Sequence, residues 1–149
     1  MDALDRKIIA VLQANARASL QEVGQAVGLS TSPCWERIRK LEQAGVIEGY
    51  TVRLNAQALG FNDTVLVQVT LDSHSDNTLE KFGETLAAIP EVVEAYLVSG
   101  EYDYLLRVAV KDTRDYERLL REKLYKIKGI RHSQSSFVLR TLKKADLPL

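Results

Sequence analysis

The stretch that decides the fold is Leu29-Ser-Thr-Ser-Pro-Cys-Trp-Glu-Arg-Ile-Arg-Lys-Leu41. Ser30 and Ser32 are candidate N-caps, and Pro33 is tolerated in a first helical turn because its missing N–H has no intrahelical acceptor there. Apolar residues then recur at i, i+4 and i+7, which predicts one buried stripe formed by Cys34, Ile38 and Leu41. The stretch is therefore predicted to be an amphipathic helix.

The opposite face of this helix is polar and basic. It presents Thr31, Ser32, Glu36, Arg39 and Lys40, with Trp35 and Arg37 on its flanks. Hydroxyl groups at a helix N-terminus followed by clustered cations suit a helix that contacts the phosphates and base edges of DNA. An ordinary solvated surface helix shows the same pattern, so the flanking sequence has to separate the two interpretations.

Two helices are predicted before this one, and the second of them is short. Asp2 can cap a first helix, and Ser19 with Glu22 forms a capping box that begins a second. Gly28 can end the second helix, and the few residues that remain before the third helix force a sharp corner. Helices joined in this way form a helix-turn-helix.

A small wing is predicted after the third helix. Gly45 can end that helix, and residues 46–53 are rich in β-branched side chains around Gly49. Arg53 in the wing and Arg17 between the first two helices are candidate phosphate contacts. Three helices and a wing predict a DNA-binding domain over residues 1–54, with a protein-interaction module as the alternative.

A second domain is predicted over residues 62–149, after a linker at residues 55–61. Its apolar residues alternate between strand and helix spacing, which predicts the order βαββαβ. The predicted strands are residues 64–71, 92–98, 104–110 and 130–140, and Asp76 can cap the first of the two helices. Right-handed crossovers then give a ferredoxin-like antiparallel sheet with both helices on one face, so the fold class is α+β.

The other face of this sheet is too apolar to be left in water, since it includes Leu66, Tyr96, Val98, Leu105 and Val138. We therefore expect self-association through this face. A symmetric dimer would place two recognition helices about 34 Å apart, one turn of DNA, and would bind pseudo-palindromic sites.

Composition argues against several other classes of protein. The chain has 20 basic and 20 acidic side chains, so DNA affinity must come from the local placement of basic residues or from several copies of the chain.

The sequence also predicts no disulfide, metal site or catalytic site. One cysteine excludes an internal disulfide, and we expect no metal site. His74 and His132 have no acid or nucleophile at a catalytic spacing, so we do not expect enzymatic activity. No membrane span or signal peptide is evident, which predicts a cytoplasmic protein.

The turn between the second and third predicted strands carries more polar and aromatic groups than a hairpin needs. Residues 99–104 are Ser-Gly-Glu-Tyr-Asp-Tyr. Amides at a glycine turn can bind a carboxylate, Asp103 can pair with an ammonium, and Tyr102 and Tyr104 can line a small cavity. These groups suit a free amino acid. A turn in which Asp103 bonds only to local backbone fits the spacing at least as well.

Taken together, these motifs make the chain resemble the Lrp/AsnC (feast/famine, leucine-responsive regulatory protein) family of transcriptional regulators. The resemblance covers essentially the full length and rests on Leu4-Asp5, residues 29–42, residues 45–50, residues 100–104 and residues 135–138. It implies a winged helix-turn-helix, a hinge strand and a ferredoxin-like effector (RAM) domain. It also implies dimers that assemble into octamers or similar rings under the control of a small molecule, usually an amino acid.

The resemblance also assigns residues to the two sites. The family's DNA contacts fall on Thr31, Ser32, Pro33, Trp35, Glu36, Arg37, Arg39 and Lys40. Its effector site, which lies between dimers, falls on Ser99, Gly100, Glu101, Tyr102, Asp103, Tyr104, Ser135 and Ser136. Asp103 would bind the ammonium of an amino acid, while the turn amides and the two serine hydroxyls would bind its carboxylate.

The leading prediction is a sequence-specific, amino-acid-responsive regulator associated with the nucleoid in a bacterial or archaeal cytoplasm, without a cofactor. The alternative is an architectural protein that wraps DNA through many phosphate contacts with little ligand control.

Overall fold

The structure is a computed structural model that describes residues 1–144 and 147, without the side chain of Asp76. The remaining residues of the predicted second domain, 145, 146, 148 and 149, lie outside the described residues. The chain divides into two compact units, the first made of Met1–Leu54 with Lys143 and Lys144, and the second of Asn55–Leu142. The second unit therefore includes the predicted linker, residues 55–61, and ends before the predicted boundary at residue 149.

The first unit contains three helices, α1 (Ala3–Ala14), α2 (Leu20–Val27) and α3 (Thr31–Gln43). The predicted N-caps of α1 and α2 are confirmed, and each is a full capping box, Asp2 with Asp5 and Ser19 with Glu22. The helix α3 begins after Ser30, whose side chain makes no capping hydrogen bond. Together α2 and α3 form the predicted helix-turn-helix.

One apolar cluster holds the three helices together. Its buried members are Ile8, Ile9, Leu12, Val23, Cys34, Ile38 and Leu41, which includes the whole predicted stripe of α3. Burial also raises the pKa of the Cys34 thiol, as desolvation disfavours the thiolate. Cys34 is therefore a core residue, and the opposite face of α3 is left at the surface.

The predicted wing and hinge strand are not formed, because none of residues 44–62 lies in a strand. The N–H groups of Val46 and Ile47 donate to the carbonyl of Leu41 and close the end of α3. Val52 is 74% exposed. A strand needs a neighbour for its backbone groups, and this segment has none among the described residues, so the structure corrects these two predictions. Residues 55–61, predicted as a linker, contain a 3-10 turn at Gln57–Leu59.

The second unit is a four-stranded antiparallel sheet with two helices. Its elements are β1 (Asp63–Leu71), α4 (Asp76–Ala87), β2 (Val92–Leu97), β3 (Tyr104–Val110), α5 (Thr113–Glu122) and β4 (Ile130–Phe137), with a 3-10 turn at Leu124–Lys126. The strand order is β2-β3-β1-β4, which is the predicted ferredoxin-like order. The N-cap of α4 is Ser75, whose hydroxyl accepts from the Thr78 N–H, rather than Asp76.

Alternate residues of β1 and β3 face the helices and form the core of this unit. Val65, Val67, Val69, Leu71, Leu106, Val108 and Val110 are all almost fully buried. The helices contribute Phe82, Leu86, Tyr116 and Leu119 to the same cluster. The opposite face of the sheet has no helix from this unit over it.

Candidate DNA-binding and effector sites

A close backbone approach fixes the corner between α2 and α3. A Cβ atom on Gly24 would lie 2.5 Å from the carbonyl oxygen of Leu29, so only glycine fits there. The Leu29 N–H donates to the Gly24 carbonyl at 2.8 Å, and Gly28 takes a left-handed conformation with φ of 77°. These contacts set the direction in which α3 leaves the turn.

The polar face of α3 is exposed, including Thr31, Ser32, Pro33, Trp35, Glu36, Arg39 and Lys40. The Arg39 guanidinium lies over the Trp35 ring, 5.2 Å from its centroid, and Trp35 is 47% exposed. This cation–π contact between residues i and i+4 restricts the guanidinium to one side of α3. The face therefore presents hydroxyl groups, a stacked guanidinium and a lysine at the surface.

Arg37, which was predicted on a flank of this face and among the DNA contacts, is bound by the N-terminus of α1. Its Nη1 lies 2.7 Å from Asp2 Oδ2 and 2.7 Å from Asp5 Oδ1, and 31% of its side chain is exposed. The capping-box N–H groups and the Arg37 guanidinium hold the pKa values of both aspartates below their usual range. Arg37 thus joins α3 to the N-terminus of α1, and its charge is already compensated.

Arg53, the ninth predicted DNA contact, is exposed in the segment that follows α3. That segment is tied back to α3 by the Tyr50 hydroxyl, which donates to Glu42 Oε1 at 2.9 Å. Burial, and then the Glu42 carboxylate, raise the pKa of Tyr50. Both effects favour the neutral phenol, which is the form that donates to Glu42.

In the second unit, the Asp103 carboxylate binds groups from a different part of the chain. Its Oδ2 accepts the Leu71 N–H at 2.7 Å, and its Oδ1 lies 2.9 Å from His74 Nε2. Asp103 therefore does not make the local backbone bond that was the alternative to a ligand site. An ammonium group arriving at Asp103 would have to share the carboxylate with His74 or displace it.

The backbone of the same turn has free donors. Among the described residues, Gly100, Glu101 and Tyr102 donate no backbone hydrogen bond. Gly100 has φ of 131°, a conformation that favours glycine. Consecutive free amides beside a carboxylate can bind the two charged ends of a zwitterion.

The structure places Tyr104 in the core, where it borders a cavity between α4 and β2 and not one at the turn. Its ring packs against Phe82 with centroids 5.2 Å apart, and its hydroxyl donates to the Leu79 carbonyl. Burial raises its pKa. Of the other residues assigned to the turn, Tyr102 is half-buried, while Ser99 and Glu101 are exposed.

The two serines assigned to the effector carboxylate lie on opposite faces of β4. Ser135 is paired with Val67, and its hydroxyl is hydrogen-bonded to the Tyr116 hydroxyl on the helix side. Ser136 is paired with Leu66 on the other side. Strand β1 also separates β4 from β3 and its turn. One chain therefore does not bring both serines and the turn into one site.

Sequence reasoning missed two of these partners. His74 is 29 residues from Asp103, and Tyr116 is 19 residues from Ser135, so no local spacing connects them. The separation of Ser135 from Ser136 could have been found, because neighbouring residues of a strand point to opposite faces.

Other kinds of site have no support in the part of the chain that the structure describes. No group of three or more His, Cys, Asp or Glu side chains there could hold a metal ion. None of its helices is long and apolar enough to cross a membrane.

Family comparisons agree with this architecture. Residues 1–42 match the AsnC-type helix-turn-helix domain, and residues 64–148 match the Lrp/AsnC ligand binding domain. The chain belongs to the Lrp/AsnC family. Members of this family are transcriptional regulators, so the chain is a DNA-binding transcriptional regulator with a ligand-binding domain, and not an enzyme.

Individual relatives of this Lrp/AsnC regulator cover nearly its whole length. It is 37% identical to the leucine-responsive regulatory protein of Escherichia coli (strain K12) over 146 residues, 98% of this chain and 89% of that protein. An AsnC family transcriptional regulator from Agrobacterium tumefaciens superposes with a TM-score of 0.94 at 40% identity, covering 99% of this chain and 97% of that one. A Neisseria meningitidis regulator in complex with L-Met gives 0.93 at 32% identity, covering 99% and 96%.

Proposed function

We propose that this Lrp/AsnC regulator binds pseudo-palindromic DNA sites in a sequence-specific manner and that a free amino acid controls its assembly and DNA affinity. It acts as dimers that associate further, to octamers, at the nucleoid in the cytoplasm of a bacterium or archaeon. Its small-molecule partner is this effector, and we propose no cofactor.

The observation that carries this proposal is the turn at residues 99–104. Free amides at Gly100 and the next two residues precede Asp103 in the same turn, and an α-amino acid carries the two complementary charges. A structural neighbour that matches over nearly the whole chain is a complex with L-Met. Both facts support an amino acid, while the identity of its side chain is left to measurement.

Self-association is supported by the sheet face opposite the helices. Leu66 is 36% exposed and Tyr96 is 50% exposed on that face. On the same face, Arg107 Nη2 of β3 lies 2.6 Å from Glu94 Oε1 of β2, so the two charges compensate each other. Exposed apolar side chains grouped on one face are typical of an interaction surface.

Control of DNA binding follows if the effector site lies between copies. Ser135 and Ser136 lie apart from the turn in one chain, so a second copy would have to complete the site. An effector at such an interface can act only if it binds two assemblies, or two DNA-bound arrangements, with unequal affinity. Effector binding and DNA binding must then be linked reciprocally.

The substitution Asp103→Asn tests the effector site. It removes the charge that pairs with an ammonium but keeps an oxygen that can accept the Leu71 N–H. We expect at least one of the free amino acids to raise the melting temperature of the wild-type protein, because a ligand of the native state stabilises it. That rise should be lost in Asp103→Asn, while DNA affinity without effector stays unchanged.

Asp72→Asn is the matched control, since it removes the same charge from an exposed neighbouring position and should respond like the wild type. If Asp103→Asn binds the amino acid as tightly as the wild type does, the assignment of Asp103 to the effector site is wrong. Steep salt dependence with similar affinity for unrelated sequences, and no amino acid response at all, would instead favour an architectural DNA-wrapping protein.

A further inference from the structure

The exposed face of α3 contains one carboxylate without a partner. Glu36 is exposed, and among the described residues it makes no hydrogen bond or ion pair. The cations beside it do not compensate it: Arg37 is bound by Asp2 and Asp5, and Arg39 lies over Trp35. Lys40, one turn further along, makes no ion pair with it.

Such a carboxylate opposes DNA binding unless the DNA supplies a donor. Duplex DNA carries one negative charge per about 1.7 Å of its axis. Two like charges about 4 Å apart repel by roughly 1 kcal/mol in water and about 4 kcal/mol at a partly desolvated surface. A negative side chain at the centre of a groove-facing helix is therefore costly when it meets only phosphates or base acceptors.

The major groove offers two exocyclic amino groups as donors, cytosine N4 and adenine N6. Adenine N6 lies between two acceptors, its own N7 and the paired thymine O4, which would repel the second oxygen of a carboxylate. Cytosine N4 has an acceptor on only one side, the paired guanine O6. A glutamate is accordingly matched to cytosine, whereas Asn and Gln are matched to adenine.

We infer that Glu36 is a specificity-determining residue that accepts a hydrogen bond from the N4 amino group of one cytosine in each half-site. Glu36 borders a cleft of about 420 Å³ whose other lining residues are Leu20, Thr31, Ser32 and Trp35. Water displaced from this cleft when DNA docks would strengthen a charge-assisted hydrogen bond to the carboxylate. This role rests on the proposed sequence-specific function.

The test combines a substitution in the protein with the removal of one amino group from the DNA. A preferred site is first selected from random duplexes with the full-length wild-type protein. The candidate cytosine is then replaced by 2-pyrimidinone, which lacks only the 4-amino group, and affinities are measured for wild type and Glu36→Ala. We expect the loss of the amino group to weaken wild-type binding by about 5- to 150-fold and to leave Glu36→Ala binding unchanged.

Glu48→Ala is the control for the loss of one negative charge, because Glu48 is also exposed but lies after α3. It should retain the wild-type sensitivity to the amino group. Selection with Glu36→Ala should give the same site except at the cytosine, where any base is accepted, and binding to unselected DNA should be as tight as wild type or tighter.

Two results would overturn the assignment in different ways. The first is a cytosine preference that survives Glu36→Ala, or an equal loss of affinity in both proteins on 2-pyrimidinone DNA. Either outcome would show that Glu36 does not recognise the base, and it would leave the proposed function intact. A wild-type protein that selects no sequence removes both the sequence-specific function and this role.

Discussion

Arg37 and Arg39 lie two positions apart on α3, yet their partners differ completely. Arg39 stacks on Trp35 within the same helix, whereas Arg37 binds two aspartates more than thirty residues earlier. The sequence predicts that both lie off the buried stripe, because helical spacing decides that. It could not predict which one is neutralised, because that depends on where the N-terminus of α1 meets α3.

Replacing Arg37 by Met should lower the free energy of unfolding of the first unit at neutral pH. The capping-box N–H groups and then Arg37 lower the pKa values of Asp2 and Asp5. The part due to Arg37 stabilises the fold above the unfolded pKa near 4 and is lost as the pH falls through the folded values. The stability difference between wild type and variant should therefore shrink as the pH falls from about 5 to 2. Urea unfolding followed by circular dichroism measures it.

Arg39→Met serves as the control, because it removes the same charge from α3 without touching either aspartate. Its stability difference from wild type should stay nearly constant over that pH range. A difference for Arg37→Met that is also independent of pH would contradict the pairing.

At the level of elements, the predictions that rest on local rules hold. These predictions depend only on residues that are close together in the sequence. They are the capping boxes, the left-handed glycines after α2 and α3, and the alternation of strands and helices in the second unit. The predictions that fail need a partner from elsewhere. Residues 46–53 have the composition of a wing, but the N–H groups of Val46 and Ile47 donate to the Leu41 carbonyl at the end of α3. Tyr104 packs against Phe82 in the core.

The corner of the helix-turn-helix gives a test at this level. Gly24→Ala would place a methyl group against the Leu29 carbonyl, at 2.5 Å before any adjustment. Overpacking of this kind costs about 1 to 3 kcal/mol, and it acts against the roughly 1 kcal/mol that Ala gains over Gly in a helix. We expect a net loss of stability and weaker DNA binding, measured by thermal unfolding and by titration with DNA.

Gly49→Ala is the comparison, because nothing lies within 4 Å of the added Cβ and the backbone there is not left-handed. It should leave stability unchanged or raise it slightly. Equal or greater stability of Gly24→Ala would show that the turn tolerates a side chain.

At the scale of the whole molecule, the fold of each unit was predicted, but the distribution of the assigned effector residues over the two faces of the sheet was not. The change of hydrophobic period near residue 62 separates a helical unit from a sheet, and it is visible in the sequence. That Ser135 faces α5 while Ser136 faces away follows from the register of β4. The resemblance had placed both in one site, because a family assignment carries residue positions and not the chain that supplies each of them.

Tyr96→Asp tests whether copies associate through the open face of the sheet. A buried carboxylate without a partner is costly, and losing an aromatic side chain that anchors an interface often costs 2 kcal/mol or more, about 30-fold in affinity. We expect light scattering at micromolar concentration to report a smaller assembly for this variant than for wild type.

Tyr125→Asp introduces the same change at another exposed tyrosine, 63% exposed on the 3-10 turn after α5. It should assemble like the wild type. A monomeric wild-type protein, or an unaffected Tyr96→Asp, would contradict assembly through this face.

Trp35 has a practical consequence, because it is the single tryptophan of the chain and lies on the exposed side of α3 under the Arg39 guanidinium. Its fluorescence therefore reports the environment of the first unit alone, without any label. A change in that emission when an amino acid is added in the absence of DNA would be a direct optical signal that an event in the sheet-containing unit has reached the helix-turn-helix.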